Sequence, residues 1–332
     1  MNGTRHELTD PFEIGGVPIS NRVLLAPLAG IGNWFVRLQA RRHGAGLAVS
    51  EMVSSFALHY RNERTLRELM RIHPDEHPVS VQLFGHDAEV MRSGAAIAAE
   101  AGADLIDINM GCPVPKVRRT GAGAQLLRDH ELALALARGA AEGGGGVPVT
   151  VKLRSGIEAG DRSGFELAVK LAEEAGVAAI AFHPRAATKG HKGSPDYELT
   201  RELVERVEVP VIVSGGLADA ESARRAYAES GADAVMIARG SFGNPWLFEE
   251  LTGSRQQPPS REEVATELLW VVDRAEEHLG SARAERYLRK FYPWYMERLQ
   301  APPEVVDELQ RSADLGRARE LIGSLGEPLA VS

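Results

Sequence analysis

From residue 23 to about residue 251, short runs of Val, Ile, Leu and Ala alternate with amphipathic stretches. That alternation predicts repeated strand-helix units on a parallel sheet. Eight runs read as strands: Val23 to Ala26, Leu47 to Ser50, Val79 to Leu83, Leu105 to Asn109, Val149 to Leu153, Ala179 to His183, Val211 to Ser214 and Ala234 to Ala238. Between them, stretches such as Asp87 to Ala101 and Ser163 to Ala175 repeat apolar residues every three or four positions, the period of a helix with one buried face. Gly102, Gly176 and Gly231 follow three such helices, where glycine takes a left-handed cap at least cost. Eight units in this length predict a (β/α)8 TIM barrel, and no Gly-x-Gly-x-x-Gly turn follows an early strand to suggest a doubly wound sheet. Arg255-Gln256-Gln257-Pro258-Pro259-Ser260 breaks the pattern and reads as a linker. Residues 261 to about 323 then carry helical periodicity without strand signals, interrupted at Pro293 and Pro302-Pro303. The expectation is an α/β barrel domain over residues 1–254 and a smaller all-α domain over 255–332. Apart from Gly143 to Gly146 there is no low-complexity tract.

Composition narrows the class. The 332 residues are 44% hydrophobic, enough for a sizeable core. No apolar run approaches a bilayer span, and Met1 to Glu7 lacks the apolar segment of a signal peptide, so no membrane is expected and the protein reads as cytoplasmic. One cysteine excludes an intramolecular disulfide, fits a reducing compartment and leaves metal sites poor in ligands. A net charge of -8 argues against coating nucleic acid, yet permits a local basic patch.

Catalytic groups of such a barrel stand at the C-terminal ends of its strands. Those ends carry Ala26-Pro27-Leu28-Ala29-Gly30, Ser50-Glu51-Met52, Gln82, Asn109 with Cys112, Lys152 with Arg154, His183 with Arg185, Ser214-Gly215-Gly216, and Ala238-Arg239-Gly240. Gly111 and Pro113 break the fourth strand, so Cys112 sits on a turn just past it. Glycines after strand seven let backbone N–H groups approach an anion, and Arg239 adds a fixed charge, which suits a phosphate. Gln82, Asn109 and Lys152 form a polar ring above the barrel mouth. Together these fit a flat heterocycle with a phosphate tail, best FMN, with Lys152 steadying the charge of a reduced ring.

Each residue also has a plainer reading. A lone cysteine is commonly a small buried hydrophobe, and only the turn after Asn109 tips Cys112 toward chemistry. Lys152 has the alternative of a surface lysine, although its strand surroundings call for an inward partner. His183 is as consistent with a satisfied core histidine as with a ligand. The glycine pair has the alternative of a simple turn. Glu51 is left out of the chemistry as a partner for an arginine.

Asp107-Ile108-Asn109-Met110-Gly111-Cys112-Pro113-Val114-Pro115-Lys116-Val117 resembles the signature of the tRNA-dihydrouridine synthases, most closely their bacterial B-type branch. Ala26 to Gly30, Val49 to Met52, Val81 to Leu83, Val151 to Arg154 and Asn244 to Phe248 follow in that family's order, so the resemblance covers nearly the whole chain. It implies reduction of the C5–C6 double bond of uridines in tRNA, with NADPH or NADH as the reductant of FMN. It further implies that Pro27, Leu28, Ala29, Gln82, Lys152, His183, Ser214, Gly215, Gly216, Ala238 and Arg239 hold the flavin, that Cys112 gives the proton to C5, and that Asn109 and Arg154 lie near the base. Four positions depart from the family pattern: Gly32-Asn33, Pro184 within His183-Pro184-Arg185, Ser214-Gly215-Gly216, and Ala187.

Basic residues are candidates for tRNA contacts. Lys116 and Arg185 lie beside the active site, Lys116 with Arg118 and Arg119, while Lys189, His191 and Lys192 follow strand six. In the C-terminal domain Arg283, Arg286 and Lys290 fall on one helical face, and the stripe of Tyr287, Phe291, Trp294 and Tyr295 reads rather as core. No stable protein partner is expected. Two other functions compete: an FMN-dependent reductase of a free pyrimidine or small enone, and a non-catalytic RNA-binding protein on a barrel scaffold.

Overall fold

The computed structural model describes residues 6–312 and 314–327. Met1 to Arg5, part of the N-terminal stretch read above, lies outside them. The chain packs as two compact units, residues 1–240 and 241–332. The division therefore falls before the helix Trp246–Leu251, whereas composition placed the break at Arg255 to Ser260.

The first unit is a closed parallel barrel. Its strands are β1 (Val23–Leu25), β2 (Leu47–Val49), β3 (Val79–Phe84), β4 (Leu105–Met110), β5 (Val149–Arg154), β6 (Ala179–His183), β7 (Val211–Ser214) and β8 (Ala234–Ile237). Each pairs with its neighbours in chain order, and β8 pairs with β1 to close the ring. Every strand lies within one residue of its expected span. Alternation along the strands sorts the side chains. Val81 and Leu83 of β3, Ile106, Ile108 and Met110 of β4, and Val149, Val151 and Leu153 of β5 pack outward beneath the helices. Leu24, Leu47, Leu105, Ala179, Ile212, Ala234 and Met236 fill a separate inner cluster.

That inner cluster includes Ile14 and Ile19, both fully buried, from an antiparallel hairpin of Phe12–Ile14 and Val17–Ile19. The hairpin turns against Pro148 and Ala178, the residues that precede β5 and β6. It therefore seals the N-terminal end of the barrel and leaves the C-terminal end for chemistry.

Around the barrel, helix His130–Gly144 lies against helix Ala88–Glu100. A Cβ on Gly143 would stand 2.0 Å from the carbonyl oxygen of Arg92. The glycine tract read as low complexity is thus a close helix contact ending in a left-handed cap at Gly145. On the β1 side, Arg37 and Glu76 form a buried ion pair, 1% and 0% exposed, with Arg37 Nε donating to Glu76 Oε2 at 2.7 Å.

The second unit is helical: Trp246–Leu251, Arg261–Leu279, Ser281–Leu288, Tyr292–Leu299, Pro303–Arg311 and Leu315–Gly326. Ser260 and Glu263 cap the longest helix reciprocally. Pro293 and Pro303 stand in first turns, so the prolines that interrupt the helical pattern start helices. Val264, Leu268, Val271, Val272, Leu288, Phe291, Tyr295, Leu299 and Ile322 supply buried apolar surface. Among the described residues no helix is long and apolar enough to cross a membrane.

Candidate active site

Polar residues replace apolar ones at the inward positions near the C-terminal ends of β3, β4 and β5. Gln82, Asp107 and Thr150 are neighbours in register, and Asn109 and Lys152 lie side by side above them. Asp107 is buried and accepts from Gln82 Nε2 at 2.6 Å and from Thr150 Oγ1 at 2.7 Å. Gln82 Oε1 in turn accepts from Asn109 Nδ2 at 2.8 Å, and Ser50 Oγ accepts from the Gln82 backbone N–H at 2.9 Å. Burial pushes the Asp107 carboxyl up, while hydrogen bonds from Gln82 and Thr150 and the charge of Lys152 oppose that shift.

The network ends on the cysteine loop. Asn109 Oδ1 accepts from the backbone N–H of Cys112 at 3.0 Å and of Gly111 at 3.3 Å. The Cys112 carbonyl accepts from Ala124 N at 3.0 Å, so the loop is held from both sides. Burial raises the Cys112 pKa, against a backbone hydrogen bond from Val114 and the nearby charge of Arg154. The thiol is therefore protonated at neutral pH and can act as an acid. It is partly exposed, within reach of a ligand.

Three cations face this loop from β5 and β6. Lys152 Nζ donates to Ser214 Oγ at 3.0 Å, and burial, aided by Arg154, lowers its pKa to about 8. Arg154 donates from Nε to the Gly111 carbonyl at 3.1 Å and from Nη1 to that of Gly190 at 2.9 Å. Its pKa falls to about 10, chiefly through burial and then through Arg185. Arg185 donates twice to the Gly193 carbonyl, at 3.1 and 2.7 Å, and its Nη1 lies 3.3 Å from His183 Nε2. Both arginines were singled out as substrate contacts; Arg154 ties the Cys112 loop to the loop after β6, and Arg185 braces the latter loop against His183. His183 is buried and held well below the ordinary imidazole range, first by burial and then by Arg154, Lys152 and Arg185. It is a neutral ring within hydrogen-bonding distance of an arginine, which joins the two readings that its spacing left open.

At the β7 and β8 corner Gly215 and Gly216 have φ of +96° and +82°, a region that disfavours side chains. A Cβ on Gly215 would come within 2.3 Å of the His183 ring. Tyr197 Oη donates to the Gly215 carbonyl at 2.9 Å and holds this turn. Ala238 follows β8 half-buried, and Arg239 after it is exposed, with no hydrogen-bonded or ion-paired partner among the described residues. Past the strand that adjoins β8, Pro27, Leu28 and Ala29 lie in the loop after β1. The Leu28 carbonyl accepts from Ile31 and Gly32, and Gly30 N donates to Glu51 Oε2 at 2.6 Å.

Several positioning residues were not singled out from sequence: Asp107, Thr150, Ser50, Glu51 and Tyr197. The alternation of Leu105, Asp107 and Asn109 did place Asp107 inward, and that signal was available. Lys116 and Arg119 are exposed on and just after the helix Pro115–Arg118, and Lys189, His191 and Lys192 are exposed on the loop after β6. In the second unit Arg286 is exposed and Arg283 half-buried on helix Ser281–Leu288. Lys290 is corrected: the helix ends at Leu288, so Lys290 lies in the turn beyond it with its Nζ 5.3 Å over the Tyr287 ring. Phe291 and Tyr295 are core, and Trp294 stacks on Phe242 at 4.3 Å.

The family model described as Dihydrouridine synthase (Dus) matches residues 24–324. The chain is 37% identical over 308 residues to tRNA-dihydrouridine synthase B of Pseudomonas aeruginosa, covering 91% of each chain. It is 36% identical over 289 residues to the Pseudomonas putida protein of that name, covering 85% of each. It is 34% identical over 297 residues to that of Pasteurella multocida, covering 88% and 89%. Among solved structures, the old yellow enzyme homologue from Zymomonas mobilis superposes with a TM-score of 0.58 at 16% identity, over 77% of this chain and 95% of that one. Morphinone reductase gives 0.56 at 18% identity, over 78% and 92%. These two likenesses speak for the barrel fold. The near full-length sequence matches go further: the chain belongs to the dihydrouridine synthase family.

Proposed function

We propose that this protein reduces the C5–C6 double bond of uridine in tRNA to dihydrouridine, using FMN recharged by NADPH or NADH. The observation that carries the reading is Cys112: a thiol held protonated by burial, on a loop at the barrel mouth, beside a ring of amides and cations. The curated relatives bear the name of that reaction.

The residues present fit FMN. The Gly215–Gly216 turn, which a Cβ at 215 would obstruct, and the exposed Arg239 suit its phosphate. Gln82 and Lys152 suit the polar edge of its ring, with Pro27, Leu28 and Ala29 on the β1 loop and His183, Ser214 and Ala238 completing the cradle. When bound and reduced, FMN supplies a hydride from N5 to C6 of the uracil ring. Negative charge then grows toward C5 and O4 of the base. Cys112 Sγ–H gives the proton to C5, and the thiolate regains one from solvent. Asn109 and Arg154 hold the backbone on which the thiol is presented. The target base leaves the tRNA stack at a cost of a few kcal/mol. Lys116, Arg185, Arg283, Arg286 and Lys290 supply charge for the tRNA backbone.

The test is the dihydrouridine content of unmodified tRNA after incubation with the protein, FMN and NADPH, read by mass spectrometry of digested nucleosides. A rise is expected. Cys112→Ala abolishes it while leaving tRNA binding largely intact, and an unimpaired variant refutes the assignment of the acid. NADPH consumption with no dihydrouridine would instead mark a reductase of small molecules.

A further inference from the structure

Asp107 touches neither the cysteine loop nor the open mouth, yet it ends the chain of hydrogen bonds that holds both amides. That chain runs from Cys112 N–H to Asn109 Oδ1, from Asn109 Nδ2 to Gln82 Oε1, and from Gln82 Nε2 to Asp107 Oδ2. Its two ends have fixed sense. A backbone N–H only donates, and the Asp107 carboxyl accepts at both oxygens, from Gln82 Nε2 and Thr150 Oγ1. An amide has two faces, one donor and one acceptor, and without fixed ends Gln82 and Asn109 could each be turned over at little cost. Between these ends only one sense satisfies every bond.

We propose that Asp107 is the positioning residue of the site: it sets the sense of Gln82 and Asn109, and through them clamps the Cys112 backbone so that the thiol is presented at a fixed place. Thr150 is the second anchor of the carboxylate, donating to Oδ1, and keeps Oδ2 turned toward Gln82. With the amides so set, Asn109 Nδ2 donates to Gln82 Oε1 at 2.8 Å and also to Met52 Sδ at 3.9 Å, so both sides of this amide are held by the protein. The inference rests on the reading of Cys112 as the acid, but the clamp itself is a property of the protein alone.

Because the chain has one cysteine, protein labelled with 15N-cysteine gives a single backbone amide signal, that of Cys112. Hydrogen exchange of this amide is measured on the full chain, with and without FMN. Asp107→Asn, nearly isosteric, lets the amide pair turn over and is expected to speed Cys112 exchange about tenfold, the size of one net hydrogen bond. Gln82→Leu cuts the chain while leaving Asp107 with Thr150, and is expected to give the same acceleration. In uridine reduction Asp107→Asn is expected to lower kcat about tenfold with KM for tRNA unchanged. A merely structural role would instead lower the fraction of folded enzyme and leave the exchange of the folded fraction alone. Wild-type exchange in Asp107→Asn overturns the proposal; if that variant does not fold, wild-type exchange in Gln82→Leu overturns it. Should wild-type protein make no dihydrouridine while both variants still speed exchange, the reaction assignment fails and the clamp stands.

Discussion

Glu76→Ala tests the packing logic of the β1 side. Both Glu76 oxygens are used: Oε2 accepts from Arg37 Nε at 2.7 Å, and Oε1 accepts from Arg37 Nη2 at 3.0 Å and from His73 N at 2.6 Å. Removing them leaves a guanidinium 1% exposed whose remaining bonds go to the carbonyls of Gly32 and Arg71. Breaking one side of a buried pair costs about 3–5 kcal/mol, because the other charge stays desolvated and unpaired. For a barrel of this size that is a fall in Tm of about 6–20 °C. Urea unfolding followed by circular dichroism measures it. The double variant Arg37→Met/Glu76→Leu removes both charges and should recover most of the loss, with a coupling of at least about 2 kcal/mol. A loss below about 1 kcal/mol in Glu76→Ala, or additive losses in the double variant, would refute the argument. The double variant also removes the Arg37 bond to the Gly32 carbonyl in the loop after β1, so FMN affinity should be lower in it than in the single variant.

Three further outcomes follow from the site. Lys152 carries its charge below about pH 8, so FMN affinity, read by fluorescence quenching, should weaken as the pH rises through that value, and Lys152→Met should flatten the profile. Gly215→Ala places a Cβ against His183 at a φ of +96°, so FMN affinity should drop at least tenfold and stability by about 1–3 kcal/mol. Arg286→Ala should weaken tRNA binding and reduce the slope of log K against log salt by about 1, in a titration at several salt concentrations, while leaving FMN affinity unchanged.

The eight strands and their mouth-facing ends were legible because a buried parallel strand has to be apolar over a short run, and glycine or proline must end it. Inward polar positions such as Gln82, Asn109 and Lys152 stood out against that background for the same reason. The hairpin of Phe12–Ile14 and Val17–Ile19 did not, since each arm has only three residues and its burial comes from the barrel it seals. Lys290 lost its helical face because Arg289 caps the helix one residue earlier, a local ending that three-four periodicity does not see.

By itself the sequence determined the order of the elements, the period that assigns each strand residue to the core or the mouth, and the kinds of chemical group available there. Which groups meet was decided only by the closed barrel. Glu51 reaches Gly30 across 21 positions, Gln82 reaches Asp107 across 25, Arg37 reaches Glu76 across 39, and Lys152 reaches Ser214 across 62. Local pattern is a property of neighbours along the chain, whereas hydrogen-bond sense, desolvation and the pKa shifts that follow depend on neighbours in space.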